Sequence, residues 1–328
     1  MRFGAQPITL RQLQYAVAVA ETKSFRRAAE CCFVSQPSLS AQIAELERAL
    51  NVKLFERNRR RVLLTSAGVE LVERARRVLI ELEDLLEAAR HHVDPLAGTL
   101  RVGVIPTIGV YLVPEIDPAL RKAYPGLTLL WTEEKTEVLV QRIEHGELDA
   151  AFLALEADLG DLEQEAIGLD PFVLAVPEAH ELARGRRPVH LRELRAERIL
   201  LLDEGHCFRK QALELCSAAG AEELGFRATS LATLAQMVAG GSGITLLPKI
   251  AVELENRHGL LAIRQFAKPV PHRTIGLAWR RRSPLAGSLR AIAVTARTAF
   301  DTASALASAG AKMAAQKSAR NSQIRRSR

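Results

Sequence analysis

Residues 29–68 read AECCFVSQPSLSAQIAELERALNVKLFERNRRRVLLTSAG, and their pattern predicts the fold of the N-terminal part of the chain. Ser35 is a favourable helix N-cap, and Pro37 falls in the first turn, where its missing N–H breaks no hydrogen bond. Apolar residues then recur at helical spacing and predict a buried stripe, formed by Leu39, Ile43, Leu46 and Leu50. Thr9 and Ser24 are suited to cap two earlier helices. Three short helices with a tight turn before the last predict a helix-turn-helix.

The outer face of the third predicted helix carries small polar and amide side chains. The candidate DNA contacts on it are Ser35, Gln36, Pro37, Ser38, Ser40 and Gln42. Such side chains hydrogen-bond base edges or phosphates without steric bulk. Residues 55–64 follow as two short extended pieces, and Arg57 and Arg59 at their tip predict a wing against the DNA backbone. The same pattern also fits a capped amphipathic helix and a solvated turn, so spacing alone leaves DNA binding open.

Thr65 is predicted to cap a long helix with an apolar residue every three or four positions. These positions are Val72, Ala75, Leu79, Leu82, Leu86 and Ala89. A period of about 3.5 residues is typical of a coiled-coil seam and favours a homodimer that presents two recognition helices to two DNA half-sites. The alternative is a long helix packed on its own domain.

Length, composition and charge restrict the class of protein. The chain has 328 residues, 48% apolar and 25% charged, which is an ordinary soluble mixture and predicts two or three domains. No apolar run approaches the roughly 18 residues of a membrane span, and MRFGAQPITL lacks the features of a secretory signal. We therefore expect a cytoplasmic protein without membrane contact.

The net charge of +7 is concentrated at the two ends of the chain. Residues 1–68 hold 11 Lys and Arg against 5 Asp and Glu, and residues 301–328 hold 6 against 1. The middle of the chain is mildly acidic, which indicates a basic module joined to another domain. The last segment contains no aromatic residue and is predicted to be a disordered basic tail.

After residue 98 the pattern changes to short apolar strands alternating with helices. This alternation predicts an α/β domain of two lobes, with parallel sheets covered by helices. The predicted boundaries are a DNA-binding domain at 1–66, a linker helix at 67–94, the two-lobed domain at 95–300 and the tail at 301–328. The pattern predicts strands at 100–105, 127–131, 150–155, 172–176, 199–202, 243–247 and 274–279, and helices at 114–123, 137–144, 208–219, 231–239 and 285–300. Ligands are expected at the carboxyl ends of the strands.

The four cysteines are Cys31, Cys32, Cys207 and Cys216. Their spacing matches no zinc motif, so neither a metal site nor a cofactor is expected. Cys31 and Cys32 fall in the helix-turn-helix and are interpreted as small packing residues.

The stretch 29–68 resembles the DNA-binding signature of the LysR-type bacterial transcription regulators, and the likeness extends from residue 8 to about 300. The resemblance implies a winged helix-turn-helix, a linker helix and a two-lobed α/β effector domain like the type 2 periplasmic binding proteins. It also implies promoter DNA and RNA polymerase as partners and a dimer or a dimer of dimers, the homotetramer.

Four further stretches resemble the members of this family that sense hydrogen peroxide and act as activators in oxidative stress. They are IPTIGVYLVP, DEGHCFRKQALELC, FRATSLATLAQMVAGGSGITLLP and RTIGLAWR. The resemblance assigns Cys207 as the peroxidatic cysteine and Cys216 as the resolving one. It places Thr107, Thr136 and His206 in the peroxide pocket with Arg273 close by, and it implies thioredoxin or glutaredoxin as the reductant.

The residues around Cys207 suit that role. Cys207 is predicted to open a helix beside His206, Arg209 and Lys210, where the helix dipole and positive neighbours favour the thiolate that peroxide attacks. If residues 207–216 are helical, the two cysteine Cα atoms lie about 13 Å apart. A disulfide needs about 4.4–6.8 Å, so it closes only if the helix unwinds.

Two other functions remain open from the sequence. A LysR-type regulator could bind a small organic anion between its lobes, with the cysteines incidental. A thiol-dependent enzyme that reduces peroxide would use the same cysteine chemistry but leaves the winged helix unexplained. We therefore predict a regulator and not an enzyme.

Overall fold

The computed structural model describes residues 7–58, 61–91, 96–185 and 187–305, and the chain divides into two compact units, residues 1–93 and 94–328. The elements of the first unit are α1 (Leu10–Thr22), α2 (Phe25–Cys31), α3 (Gln36–Leu50), β1 (Phe55–Asn58), β2 (Arg61–Leu64) and α4 (Ser66–His91). The predicted helix-turn-helix and the paired strands of the wing are both present.

Side-chain caps fix where the helices of the first unit begin. Thr9 and Gln12 form a reciprocal capping box before α1. The Ser35 hydroxyl accepts the Ser38 N–H at the start of α3. Behind these caps the predicted stripe of α3 is buried, apart from Leu50 at its end, which is only partly covered. The caps and the stripe therefore produce the fold that the sequence pattern predicts.

A buried carboxylate positions the wing. Glu47 accepts the backbone N–H groups of Leu54 and Phe55 and pairs with Lys53 at 2.8 Å, which fixes the start of β1. β1 then pairs with β2 in antiparallel register. Arg59 at the tip lies outside the described residues, and so does the side chain of Arg57. Their contact with DNA therefore stays a prediction.

The apolar residues of the predicted coiled-coil seam of α4 are buried in the first half of the helix and exposed further along it. Val72 and Ala75 are buried in the core of the first unit, and Leu79 packs partly against it. The alternative, a helix packed on its own domain, is therefore correct for the first half. Further along, Leu85 and Leu86 are more than half exposed, so an apolar surface remains on the second half.

The second unit alternates strands and helices. Its elements are β3 (Gly98–Val104), α5 (Pro106–Ala123), β4 (Leu127–Glu133), α6 (Thr136–Glu144), β5 (Ala150–Ala154), β6 (Leu162–Pro177), β7 (Arg198–Leu202), α7 (Cys207–Ala218), β8 (Glu222–Ala228), α8 (Leu231–Ala239), β9 (Thr245–Pro248), α9 (Val252–Glu255), β10 (Leu261–Gln265), β11 (His272–Arg280) and α10 at 286–305.

These elements form two lobes, each with its own apolar core. Lobe I contains β3, β4, β5, β11, the first part of β6, α5, α6 and α10. Lobe II contains β7 to β10, the end of β6, α7, α8 and α9. The long strand β6 belongs to both lobes, because its first part pairs with β11 and its last residues pair with β9 and β10.

The sheet topology differs from the purely parallel expectation. β3 lies parallel to β4 and β5, and β7 lies parallel to β8, as predicted. β11 runs antiparallel to both β5 and β6, and β9 and β10 run antiparallel to β6. The sheet is therefore mixed, because β6 and β11 cross between the lobes without an intervening helix.

Several elements begin or end elsewhere than predicted. The sequence pattern does not predict strands β8 and β10, and α5 begins at Pro106 and not at residue 114. Pro114 and Pro118 lie inside α5 on its exposed face, and each removes one backbone hydrogen-bond donor from the helix. The last helix continues to residue 305, five residues into the predicted tail, and residues 306–328 lie outside the described part of the chain.

Candidate functional site

A fully buried arginine joins the lobes. The guanidinium of Arg273, on β11, donates to the hydroxyl of Thr107 at 2.8 Å and to the Thr107 carbonyl at 2.8 Å. It also contacts the carboxylate of Asp170 at 2.9–3.0 Å. Thr107 lies in the first turn of α5, whereas Asp170 lies on β6 just before that strand enters lobe II. Arg273 therefore fixes the position of the first turn of α5 relative to the crossing strand.

The same arginine reaches the helix that carries both predicted redox cysteines. Its guanidinium carbon lies 5.7 Å from the ring centre of Phe208, which is a cation–π distance. Phe208 is buried and stacks edge-on against Phe172, with ring centres 5.1 Å apart. Because Phe208 directly follows Cys207, the start of α7 is held against Arg273.

Asp170 is the counter-ion of this group. Its carboxylate also accepts the backbone N–H of Ile250 at 3.1 Å. Burial raises the pKa of Asp170, while Arg273 and the backbone N–H donors oppose that rise. Family resemblance predicts a role for Arg273 but none for Asp170, because a single acidic residue in an apolar strand has no sequence signature.

The loop before Cys207 is attached to lobe I by a lysine. The ammonium of Lys135 donates to the carbonyl of Glu204 at 2.6 Å. Gly205 has φ +86°, and a Cβ there would lie 2.7 Å from the Lys135 side chain, so the position favours glycine on two grounds. Lys135 is the N-cap residue of α6 and precedes Thr136. This contact holds the start of α6 against the loop that carries His206.

His206 is a neutral neighbour of Cys207. Its side chain is buried, and burial together with the positive charge of Lys135 lowers its pKa, while Asp203 acts in the opposite direction. Near neutral pH the imidazole is therefore uncharged and offers one donor and one acceptor nitrogen.

Two buried polar atoms near these residues have no hydrogen-bond partner among the described residues. One is the hydroxyl oxygen of Thr136, at the start of α6, and the other is the amide oxygen of Gln211, one turn after Cys207 on α7. A buried polar group without a partner costs about 1–3 kcal/mol. A bound molecule that donates a hydrogen bond to either atom would remove this cost at that atom. Gln211 was not predicted, since a glutamine on a helix gives no functional signal by itself.

A substitution of Thr136 tests whether its hydroxyl is an unsatisfied buried group that takes part in the reaction with peroxide. We expect Thr136→Val to leave the free energy of unfolding unchanged or to raise it, because valine removes an unsatisfied group without changing the shape. The rate of Cys207 oxidation by peroxide should nevertheless fall. Thr245 is the matched control, because its buried hydroxyl donates to the Leu200 carbonyl at 2.8 Å. Thr245→Val should destabilise the protein by about 1 kcal/mol without the loss of rate. A stability loss at Thr136 equal to that at Thr245 would contradict the interpretation.

Both cysteines lie on α7, but they contact different cores. Cys207 is partly exposed and packs against the core of lobe I, whereas Cys216 is buried in the core of lobe II. Burial raises the pKa of Cys216 to about 12, so it is a thiol at neutral pH. Helical geometry over these nine residues separates their Cα atoms by about 13 Å, as predicted.

The predicted positive neighbours of Cys207 are arranged differently from the expectation. The buried guanidinium of Arg209 donates to the Leu202 carbonyl and pairs with Glu223 at 2.8 Å. It therefore stabilises the packing of α7 on β7 and β8. Lys210 is exposed. The lysine that touches the loop before Cys207 is Lys135, from the other lobe.

The predicted DNA contacts lie at the start of α3. Gln36, Pro37 and Ser38 are exposed there, and Ser35 is the helix cap. Ser40 is half-buried. The amide of Gln42 accepts from Gln12 and donates to Glu45, so this residue also serves the packing of α1 and α3.

Within the described part of the chain there is no group of three or more metal-binding side chains, and no helix is long and apolar enough to span a bilayer. The chain matches the model of the bacterial regulatory helix-turn-helix proteins of the lysR family over residues 10–69 and the LysR substrate binding domain over residues 94–301. The chain belongs to the LysR family.

Within the LysR family the chain is similar to OxyR proteins. It is 43% identical to the DNA-binding transcriptional dual regulator OxyR of Escherichia coli over 90% of this chain and 96% of that one. A full-length OxyR variant from Pseudomonas aeruginosa is similar in structure, with a TM-score of 0.73, 36% identity, and coverage of 88% of this chain and 95% of that one. An OxyR mutant of Corynebacterium glutamicum with hydrogen peroxide bound has a TM-score of 0.65 and 33% identity, covering 92% and 96%.

Proposed function

We propose that the protein is a transcription regulator that responds to hydrogen peroxide through a disulfide between Cys207 and Cys216. The unsatisfied hydroxyl of Thr136 carries this proposal, because it lies beside a residue that contacts the loop of the reactive cysteine. The similarity to OxyR proteins, one of them with peroxide bound, supports it.

The chemistry needs peroxide as the only oxidant. The Cys207 thiolate attacks one peroxide oxygen, the O–O bond breaks, and the leaving hydroxide takes a proton to become water. The Cys207 sulfenic acid then condenses with the Cys216 thiol, which forms the disulfide and releases a second water. Two thiols are thus oxidised and one peroxide is reduced to two waters. Thr107, Thr136 and neutral His206 are the proposed hydrogen-bonding groups for the peroxide oxygens, with Arg273 holding Thr107 in place.

Disulfide formation must change the structure of lobe II. The two Cα atoms have to approach by at least about 6 Å, so α7 unwinds or moves. Phe208 and Cys216 then leave the apolar core, and the Arg209–Glu223 ion pair is disturbed. The chemical signal thereby becomes a rearrangement of packed elements.

The remaining functional assignments concern partners. The N-terminal unit is proposed to bind promoter DNA through α3 and the wing. The exposed apolar residues in the second half of α4, Leu85 and Leu86, support a homodimer that binds two half-sites, and a dimer of dimers would bind four. RNA polymerase is the proposed downstream partner, thioredoxin or glutaredoxin the reductant, and the cytoplasm the location. Peroxide is a signal in this scheme and not a substrate that is turned over repeatedly.

The DNA response is the direct test of the proposed function. A binding site is first selected from random duplex DNA with the reduced protein, and footprints are then compared before and after stoichiometric peroxide. We expect the footprint or affinity to change on oxidation and to return after reduction by a thiol. Identical footprints in both states, with the disulfide present, would contradict regulation by peroxide.

Substitutions in α3 and the wing should affect DNA binding in different ways. We expect Ser38→Ala to reduce discrimination between related sequences by about 1–3 kcal/mol, because Ser38 is exposed and only its backbone N–H serves the cap. Arg57→Ala should weaken binding to all sequences and reduce the salt slope by about 1. Fluorescence anisotropy at several salt concentrations measures both effects, and an unchanged slope in the Arg57 variant would exclude a phosphate contact.

A further inference from the structure

Two adjacent cysteines in the first unit have no part in the proposed peroxide chemistry. Cys31 ends α2 and is exposed, contrary to the expectation of a buried packing residue, because it lies on the outer side of this short helix. Cys32 is half-buried and packs against the core of the first unit. Both are free thiols on neighbouring residues, whereas Cys207 and Cys216 are nine residues apart on a helix.

The two thiols line an open cavity of about 500 Å³ within the first unit. Arg11 and Tyr15 of α1 form one side of it, and Phe33 and Val34 of the turn before α3 form another. Phe33 has a left-handed φ of 56°, and the residue is 95% exposed. The cavity therefore has room for a molecule bound to both sulfurs, beside the turn between α2 and α3.

The geometry disfavours a disulfide between these two residues. Their Cα atoms are about 3.8 Å apart across the peptide bond, below the 4.4–6.8 Å that an unstrained disulfide spans. The Cys32 N–H is also engaged, since it donates to the Ala28 carbonyl at 2.9 Å. Burial, together with nearby Cys31 and Glu21, raises the pKa of Cys32, which keeps it in the thiol form that peroxide attacks poorly.

Two adjacent thiols are instead suited to chelate one soft, thiophilic atom. We propose that Cys31 and Cys32 form a binding site for trivalent arsenicals. An arsenical R–As(OH)2 reacts with both thiols to give R–As(S–Cys)2 and two waters. Two As–O and two S–H bonds break, two As–S and two O–H bonds form, and no atom changes oxidation state. The Cys207–Cys216 pair is too widely separated to chelate one arsenic while α7 is helical.

Occupation of this site is expected to disturb DNA binding. The turn after Cys32 is held by two backbone hydrogen bonds, from Phe33 to the Glu30 carbonyl and from Val34 to the Ala29 carbonyl. Ser35, the cap of α3, follows immediately. An arsenic atom that bridges both sulfurs constrains the start of this turn, so it changes where α3 begins.

The test uses full-length protein with Cys207→Ser and Cys216→Ser, so that only the adjacent pair remains, and phenylarsine oxide as the probe. We expect one equivalent to bind, to resist excess glutathione and to be removed by the dithiol 2,3-dimercaptopropanol. Addition of Cys31→Ser should abolish the glutathione-resistant binding of phenylarsine oxide, and because Cys31 is exposed, the fold should stay intact. Addition of Cys32→Ala should abolish this binding as well. Retention of such binding in the Cys31→Ser protein would overturn the proposed site.

A DNA-binding measurement tests whether the bound arsenical disturbs α3, and it does not involve peroxide. In the same double-serine protein, phenylarsine oxide should weaken binding to duplex DNA about tenfold, and the Cys31→Ser protein should bind equally well with and without the reagent. An arsenical that chelates the pair but leaves DNA affinity unchanged would contradict the effect on α3. Neither result depends on whether Cys207 reacts with peroxide.

Discussion

Arg273→Met is expected to lower the free energy of unfolding of the second unit by about 3–5 kcal/mol. The substitution leaves the buried Asp170 carboxylate without its counter-ion and the Thr107 hydroxyl and carbonyl without a donor. Trp131 and Trp279 are the two tryptophans of the chain and both lie in lobe I, so their fluorescence during urea denaturation reports this unit. Peroxide oxidation of Cys207 should also slow, because Thr107 loses its fixed position.

Two controls show whether the loss of stability comes from the burial of the unpaired charge or from the loss of an ion pair as such. Arg281 also pairs with an aspartate, at 3.1 Å, but both side chains are more than two-thirds exposed. Arg281→Met should therefore shift the denaturation midpoint little. The double variant Arg273→Met with Asp170→Leu should recover much of the lost stability, because no unpaired charge stays buried. Equal effects of Arg273→Met and Arg281→Met would contradict the structural role of Arg273.

Cys216→Ser is expected to abolish the stable disulfide completely. Peroxide would still convert Cys207 to the sulfenic acid, which a carbon nucleophile such as dimedone traps, but no second thiol would close the bond. Prolonged exposure should then drive Cys207 to the sulfinic acid. Without the disulfide α7 stays helical, so the peroxide-dependent footprint should also be lost.

The controls for this variant distinguish a peroxide sensor from a sensor of small organic anions. Cys216→Ala keeps an apolar side chain in the core of lobe II and should give the same chemical result as serine, which excludes a simple loss of packing. Cys31→Ser should retain the disulfide. A regulator whose cysteines are incidental would show the same DNA response in all of these variants and in the unsubstituted protein.

The local sequence predicts the N-terminal unit well because its signals are short-range. Thr9, Ser24 and Ser35 cap the helices at the predicted positions, and the apolar stripe of α3 follows the helical period. The seam on α4 shows the limit of periodicity. Val72 and Leu86 share one apolar pattern, yet one is buried in its own domain and the other is exposed. Periodicity predicts an apolar face but does not identify what covers it.

The second unit contains more long-range contacts and was predicted less completely. Strand β8 is mostly exposed and lacks regular apolar alternation, so no pattern marked it. Arg273, Thr107 and Asp170 are far apart in sequence, and only the fold brings them together. Family resemblance supplied Thr107, Thr136 and Arg273, whereas Lys135 and Gln211 emerged only from the observed contacts and from the unsatisfied buried atoms.

Peptide mass mapping of the reduced protein after about one equivalent of hydrogen peroxide, with free thiols blocked before digestion, shows whether Cys207 and Cys216 form the disulfide. We predict that Cys207 becomes linked to Cys216 within minutes, while Cys31 and Cys32 are recovered as blocked thiols. Recovery of Cys207 and Cys216 as free thiols, with α7 still helical, would contradict the proposed peroxide switch.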